Sequence, residues 1–414
     1  MAYLKHVKNS KVSVPDSENS PKVTEGVVDA GYLGQKTSKL KSIDPKKLKL
    51  FGIIVVVAVI GIFVLKLSGG KGGGGINLTP GISPEAIISK ENALNEGPKT
   101  VENPINGVMY TEKRADIWKA RRPLAVDIEN HIESRPAYGL SDADQVFEAV
   151  AEGGITRFVA IFWTSQAPRL EPIRSIRNYF IDWAGDFDAI VVHHGGANSQ
   201  DPRTDALGNI TKLGLADIDC IKEDGGICTR DNERFAPHNS MSNTAVLWNE
   251  AQKRGFNKPT NFETYKFKDD AEESLRPLAQ KISYNFWQDE DYLVRWEYDK
   301  TSNSYKRING NLLTDKHMDA NYPDRQITSK TVIVQKMVQG PVNDGTSTGH
   351  LLYNTIGTGP ALIFSDGKMV TGTWEKTERT KRTKFFDAKG AEVVFNRGQI
   401  WISVVPPENV ITVN

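Results

Sequence analysis

The most constraining feature of this 414-residue chain is an apolar run from Leu50 to Leu67 that carries no charge before Lys66. A helix of this length, rising about 1.5 Å per residue, reaches across a thin hydrocarbon core of about 30 Å. The run is not amphipathic and glycines follow it at once, unlike a buried helix of a globular domain. A long tail precedes it and no small-residue cleavage pattern follows, which favours a permanent anchor over a removable signal peptide. We predict one transmembrane helix at residues 48–67.

Charge on either side of this run predicts its orientation. The preceding tail has ten lysines against five acidic residues, a net charge of +5. With Lys66 and Lys71 added, the whole-chain charge of +1 leaves the remainder at −6. Lysines concentrated on one flank predict a cytoplasmic N-terminus, so everything after about residue 68 is expected outside the cell membrane. The basic tail suits anionic lipid, and no nucleic-acid partner is predicted.

Changes in composition divide the chain into five segments. The tail lacks apolar periodicity, and the stretch after the anchor is rich in glycine, so both are read as structureless. The predicted segments are a disordered tail at 1–47, the anchor at 48–67, a linker at 68–105, an α/β domain at 106–257 and a β-rich domain at 258–414.

In the α/β domain, strands and helices are predicted to alternate. Apolar runs predict strands at 122–130, 156–163 and 188–196. Ser141 has the character of an N-cap, so residues 140–154 are predicted to be a helix, and further helices are predicted at 171–187 and, capped by Ser242, at 242–256. This order indicates a mixed sheet with flanking helices.

The region after residue 258 is predicted to be mostly antiparallel β-structure. Polar turns at 299–303, 366–367 and 387–390 each separate two alternating runs, and QIWISVVP supplies a last strand. Cys220 and Cys228 are close enough in sequence for a disulfide, and two free thiols are the equal alternative. Two cysteines exclude the common four-cysteine zinc sites, and none of the common nucleophile, nucleotide, zinc or calcium motifs is present. No metal and no cofactor is predicted.

Several stretches together resemble the YerB-like family of exported bacterial proteins, which has paired N- and C-terminal DUF3048 domains. The stretches are AEGGITRF at 151–158, PIRSIRNYF at 172–180, HHGG at 193–196, RDNERFAPHN at 230–239 and the C-terminal residues 372–406. The resemblance implies a cell-envelope location and a link to wall synthesis, but it supplies no reaction. Many family members look like lipoproteins, and this chain departs from them by its predicted transmembrane anchor.

The first group of candidate site residues has glutamate and arginine at predicted helix and strand ends. Glu152 is a candidate catalytic acid or base, and an ion pair with Arg157 is the structural alternative. Arg174 and Arg177, three residues apart in a predicted helix, are candidate ligands of a phosphate or carboxylate, or else partners of Glu152 or Asp182.

A second group combines histidines with a charged loop. His193 and His194 are adjacent on a strand and must face opposite sides, and His194 is taken as the ligand-facing one. His238 is the other catalytic candidate, in a loop where Arg230, Asp231 and Arg234 suit an anionic ligand. The alternative is that Asp231 pairs with Arg234 to hold the loop.

Two functions from different classes follow. The first is a non-enzymatic envelope module that binds a cell-wall glycan or a wall-synthesis protein. The second is an enzyme on a phosphorylated or lipid-linked acidic glycan, with the arginines neutralising phosphates and Glu152 or His238 moving protons. An enzyme requires these groups in one cleft, which makes their convergence the deciding observation. The binding module is preferred.

Overall fold

The computed structural model of the protein describes residues 94–414 apart from 224, 289 and 311–315. The predicted tail, the anchor and most of the linker therefore lie outside the described residues. Within the described part, no helix is both long and apolar enough to cross a bilayer. The fold begins before the predicted boundary at residue 106, because Val101–Glu102 pairs with Met109–Tyr110 and Ile105 is fully buried.

A ten-stranded mixed sheet forms the centre of the molecule. It takes strands from both sides of residue 257, so the two predicted domains share it. We number its strands in chain order as β1 (Leu124–Glu129), β2 (Gln145–Val150), β3 (Thr156–Phe162), β4 (Ile190–His193), β5 (Asp217–Asp219), β6 (Thr331–Lys336), β7 (Gly357–Ser365), β8 (Lys368–Lys376), β9 (Lys384–Asp387) and β10 (Ile400–Val405).

The order of strands across this sheet is β9-β8-β7-β6-β10-β2-β3-β1-β4-β5. The last strand, β10, lies parallel between β6 and β2, so the end of the chain completes a sheet begun near its start. Strand β3 is antiparallel to both β2 and β1, and β1, β4 and β5 are mutually parallel. Strands β6 to β9 pair antiparallel. Consequently β1 and β4 end at the same edge where β3 begins.

A second, five-stranded antiparallel sheet covers one face of the large sheet. Its Trp296 packs against Trp401 of β10, with ring centroids 5.4 Å apart, in a shared apolar core. In spatial order its strands are Thr328–Ser329, Ser304–Asn309, Leu293–Asp299, Lys281–Asn285 and Thr412–Val413. The coarse prediction of a mixed-sheet α/β region followed by an antiparallel, strand-rich region is confirmed.

Helices contribute to the apolar core on the opposite face. Phe180 and Trp183 pack there with Ile161 and Ile402 of the sheet. The α-helices are α1 (Glu112–Lys119), α2 (Asn178–Ala184), α3 (Ala206–Leu213) and α4 (Thr244–Lys253). The 3₁₀ turns are Ile132–Ser134, Leu140–Asp142, Glu152–Gly154, Gly185–Phe187, Glu273–Leu275 and Glu290–Tyr292. The remaining short strands are Thr229–Arg230, Ser240–Met241, Lys266–Lys268, Met318–Asp319, Tyr322–Gln326, Gln339–Pro341, Leu351–Tyr353 and Val394–Asn396.

The predicted helix at 140–154 is wrong. Its apolar centre is strand β2, flanked by the 3₁₀ turns Leu140–Asp142 and Glu152–Gly154. All six β2 residues are buried, because β3 and β10 flank the strand and both faces of the sheet are covered. A short apolar run buried on both faces carries no periodicity that separates strand from helix.

The predicted helix at 171–187 is wrong over its first half. Residues 170–176 are extended and form bridges to neighbouring segments, and α2 begins only at Asn178. Arg174 therefore lies outside the helix and Arg177 stands at its N-cap position. The third predicted helix is present as α4, but its cap is Asn243, whose side chain accepts from Val246 N–H, and not Ser242.

The three predicted hairpin turns and the last strand are confirmed. The turns at 299–303 and 366–367 join paired strands. The third hairpin is short: Phe386 and Glu392 form an antiparallel bridge, and Val393 N–H donates to Phe385 O at 2.8 Å. Beyond it, Val394–Asn396 pairs in parallel with Lys266–Lys268. Cys220 and Cys228 form a disulfide.

Candidate functional site

Most of the predicted site residues lie near one edge of the large sheet, where the parallel strands β1 and β4 end. Glu129 ends β1, His193 ends β4, and the antiparallel β3 begins nearby with Arg157 as its second residue. Backbone hydrogen bonds fix residue 174 across this edge: Arg174 N–H donates to Asp127 O at 2.9 Å, and His194 N–H donates to Arg174 O at 2.9 Å. In open α/β sheets the carboxyl ends of parallel strands are the usual place for ligands.

At this edge, Glu152 holds two arginines. Arg177 makes a bidentate ion pair with its carboxylate, with Nη2 at 2.6 Å from Oε2, and Arg157 Nη2 lies 3.2 Å from the same oxygen. Both guanidinium groups also donate to Ser175 O. Burial raises the pKa of Glu152, but the hydrogen bond and charge of Arg177, together with Arg157, outweigh it and keep this pKa below its usual value. Glu152 therefore stays ionised and cannot serve as a proton donor near neutral pH.

Beside this group, Asp127 of β1 is a fully buried carboxyl group. Neither of its oxygens has a hydrogen-bond partner among the residues that the structure describes. Burial raises its pKa to about 8, although the charges of His193, Arg157 and Arg177 oppose the shift. Asp127 is thus protonated at neutral pH in the folded chain.

His238 and Arg174 meet at another carboxylate, Glu129. Arg174 Nε lies 2.9 Å from Glu129 Oε1, and His238 Nδ1 lies 2.7 Å from Glu129 Oε2. On its other side His238 stacks on His131 with ring centroids 4.7 Å apart, and its Nε2 lies 3.5 Å from Glu133 Oε2. We call Glu129, His131, Glu133, Arg174 and His238 the loop cluster. Its side chains range from 3% exposed at Glu129 to 70% at Glu133, so it opens to solvent on one side.

His193 and His194 point to different surroundings, as adjacent strand residues should. His193 is buried, with Nδ1 2.8 Å from Gly195 O and Nε2 3.4 Å from Asp217. Burial lowers the pKa of His193, but the nearby carboxylates of Asp217 and Asp219 outweigh it and raise the pKa above its usual value. His194 instead faces the 229–240 loop.

In that loop, Arg230 joins the His194 side chain. Arg230 Nη2 lies 2.8 Å from His194 Nε2, and its Nη1 donates to Asn239 Oδ1 at 3.2 Å. His194 Nδ1 lies 2.9 Å from Ser240 Oγ. These contacts tie the loop to the end of β4.

The alternative in which Asp231 pairs with Arg234 is wrong. Asp231 pairs with Arg169 at 2.5 Å, and Arg169 also binds Glu171. Arg234 donates to two backbone carbonyls, Ser134 O and Pro136 O, each at 2.7 Å. Arg234 still holds the loop, but it does so by linking the 229–240 loop to the 131–136 loop.

Among the residues that the structure describes, the predicted site residues thus lie close together but form separate contact groups. Glu152 belongs to a largely buried group with Arg157 and Arg177, and His238 belongs to the loop cluster. A cleft of about 390 Å³ elsewhere, lined by residues such as Tyr110, Asp142 and Arg325, contains none of them.

Three residues of the loop cluster, Glu129, His131 and Glu133, are missing from the sequence prediction. The signal was present, because the sequence ENHIE at 129–133 begins at the end of the strand predicted at 122–130. Its partner His238 is more than a hundred residues away, so no local spacing reveals the group.

The folded part of the chain matches the two domains of one protein family. Residues 109–257 match the family described as "Protein of unknown function (DUF3048) N-terminal domain", and residues 282–402 match its C-terminal counterpart. Together the two matches cover more than half of the chain, and the chain belongs to this YerB-like family.

The chain is also similar, in sequence and in structure, to a protein of one bacterium. The chain is 29% identical over 329 residues to "Putative lipoprotein YerB" of Bacillus subtilis (strain 168), covering 77% of this chain and 90% of the relative. It is also similar to the crystal structure of YerB protein from Bacillus subtilis, with a TM-score of 0.64 and 25% identity over 76% of this chain and 100% of that one.

Proposed function

We propose that this chain is an extracytoplasmic protein of the cell envelope, anchored by residues 50–67, that binds a cell-wall glycan or a wall-synthesis protein as an accessory module. Its similarity to a protein named as a lipoprotein supports an exported location. The disulfide between Cys220 and Cys228 supports an oxidising compartment outside the cytoplasm.

The observation that carries the binding role is the pair of exposed apolar side chains beside the loop cluster. Phe235 is 89% exposed and Ile132 is 49% exposed, and they stand on the same two loops as His238 and His131. Apolar side chains next to convergent polar groups are typical of a surface that receives a ligand or partner. Because Arg234 ties these two loops together, the surface is ordered before binding.

The state of the arginines supports binding over catalysis. Arg157 and Arg177 are both paired with Glu152, and Arg174 is paired with Glu129. If these arginines bound a phosphate instead, a largely buried carboxylate would lose its partners, which is costly. The low pKa of Glu152 argues against its role as a general acid, and its two ion pairs occupy the carboxylate that a general base would need.

The experiment is a thermal-shift series on the full-length chain in detergent, with muropeptides, teichoic-type phosphosugars, lipid-linked precursors and purified wall-synthesis proteins. We expect one class to raise the melting temperature of the wild type, and Phe235→Ser to abolish that rise without altering the unliganded melting temperature. Leu278→Ser is the matched control, because Leu278 is also strongly exposed, at 84%, but lies outside both loops.

Two outcomes would overturn the proposal. One is that no class shifts the melting temperature. The other is that both variants respond to the ligand as the wild type does, which would place binding elsewhere. Turnover of the bound ligand would instead support the enzyme hypothesis.

A further inference from the structure

The loop cluster contains three side chains of the kind that hold a transition-metal ion. One ring nitrogen of His131, one of His238 and a carboxylate oxygen of Glu133 all lie within 4.8 Å of one another. Two imidazoles and one carboxylate are a common set of protein ligands for Zn²⁺.

The spacing of these atoms is close to what coordination requires. With Zn²⁺ about 2.0–2.1 Å from each donor, two donors of a tetrahedral site lie about 3.3 Å apart. His238 Nε2 is 3.5 Å from Glu133 Oε2, and His131 Nδ1 is 3.9 Å from the same oxygen. The His131 and His238 rings are stacked, with an angle of 17° between their planes, so metal binding requires His131 to turn out of this stack. The side chains of His131 and Glu133 are 27% and 70% exposed, so both can rotate toward one ion without disturbing the core.

Glu129 orients His238 for this role. Its carboxylate lies 2.7 Å from His238 Nδ1, which places the ring proton on Nδ1 and leaves the Nε2 lone pair directed toward Glu133. A carboxylate behind a ligating histidine is the usual outer contact of zinc sites, where it fixes the tautomer and makes the ring a better donor. His131 Nδ1 accepts only a long contact, 3.3 Å, from Glu133 N–H, which an ion can replace.

The two loops that supply the ligands are already joined. Arg234 donates to Ser134 O and Pro136 O, and Asn239 donates to the carbonyls of Asp231 and Arg234. The charges also favour a cation, because Glu129 and Glu133 face the single positive charge of Arg174. Binding therefore requires little ordering of the chain.

We propose that His131, Glu133 and His238 form a Zn²⁺ site, with Glu129 as the positioning residue for His238. Two nitrogen donors and one oxygen donor favour zinc over magnesium or calcium, which prefer all-oxygen sites. A fourth position remains for water or an anionic oxygen of a ligand. The sequence predicts no metal site, and this proposal does not rest on the proposed function, since it concerns the ion alone.

The test is zinc binding by the full-length chain, stripped with a chelator, dialysed and titrated with zinc chloride in a calorimeter. Cobalt(II) substitution reports the geometry, because tetrahedral sites give intense visible absorption. We expect one zinc per chain, no binding in His238→Ala and at least a tenfold loss of affinity in Glu133→Gln. Glu129→Gln should lose about 10- to 100-fold while keeping the cobalt spectrum.

Glu112→Gln is the matched control for Glu133→Gln. Glu112 is 68% exposed on α1, and its substitution should leave zinc affinity unchanged. Melting temperatures in chelator show that each variant is folded, and Glu133→Gln remains informative if His238→Ala is not. Failure of the wild type to bind zinc, or equal binding by wild type and Glu133→Gln, would overturn the proposal.

Discussion

Two clusters in this molecule contain the same residue types and differ in what they can do. In one, Glu148, Arg307 and His317 meet between the large sheet and the second sheet. In the other, the loop cluster, Glu129 joins Arg174 and His238. Glu148 and Arg307 side chains have no exposed surface, whereas those of Arg174 and His238 are 20% and 14% exposed.

The difference lies in solvent access and in how the carboxylate is paired. Arg307 binds both oxygens of Glu148, at 2.8 and 2.9 Å, and Trp401 Nε1 donates to the same carboxylate at 3.1 Å. Burial, with the charges of Arg307 and Arg135, lowers the pKa of His317 well below its usual value, so this ring is neutral. In the loop cluster, by contrast, His238 Nε2 faces an exposed carboxylate. A sealed cluster of this composition joins parts of the fold, and an open one can accept a ligand.

The largest effect should come from breaking the sealed pair. Arg307→Met keeps much of the side-chain volume but leaves Glu148 buried without its counter-charge. We expect the free energy of unfolding, measured by urea titration, to fall by about 3–5 kcal/mol. The double variant Glu148→Gln with Arg307→Met should recover part of this loss, because it removes the unpaired charge. A fall of under about 1 kcal/mol in the single variant would mean that the pair is not sealed.

A second effect concerns Asp127, which is buried like Glu148 but has no cation bonded to it. Its folded-state pKa of about 8 lies above the ordinary aspartate pKa of 3.8. Between these values the unfolded chain releases a proton that the folded chain keeps, so this group's contribution to stability falls as pH rises. We expect the stability of the wild type relative to Asp127→Asn to fall by at most about 1.4 kcal/mol per pH unit over this range.

The measurement is urea unfolding of both proteins at several pH values between 5 and 8. Taking the difference between them cancels the other titrating groups. A difference that stays constant, or that rises with pH, would show that Asp127 is ionised in the folded state and paired.

The smallest effect should come from the open cluster. Arg174→Met removes the cation of Glu129, but His238 still hydrogen-bonds that carboxylate and solvent reaches the site. We expect a loss of about 1 kcal/mol, measured in the same urea titration as Arg307→Met. A loss as large as that of Arg307→Met would remove the distinction between the two clusters.

The sequence predicts those parts of the fold whose signals are local. The runs that form β1, β3 and β4 are apolar and β-branched, and the turns at 299–303 and 366–367 carry their own residue preferences. Strand β2 was missed because Ser141 and two acidic residues imitate a helix start and Gly153-Gly154 imitate its end. β2 is a strand because it pairs with β10, which is formed by the distant residues 400–405.

In the candidate site, too, some contacts could be predicted from the sequence and others could not. The pairing of Arg157 and Arg177 with Glu152 was among the predicted alternatives, since the charges are opposite and the residues lie at the ends of neighbouring predicted elements. The loop cluster was not predicted as a group, because Glu129 and His131 belong to one loop and His238 to another. Arg234, whose contacts with Ser134 O and Pro136 O join those loops, was expected to contact Asp231 or a ligand instead.

Histidine carbethoxylation of the native full-length chain, followed residue by residue by mass spectrometry, tests the contrast between the clusters most directly. It compares the two open histidines, His131 and His238, with the buried His193 and His317. We expect the open pair to be modified in the folded protein and the buried pair to react only when the chain unfolds. Equal rates at His238 and His317 would contradict it, because the loop cluster would then be no more accessible than the buried one.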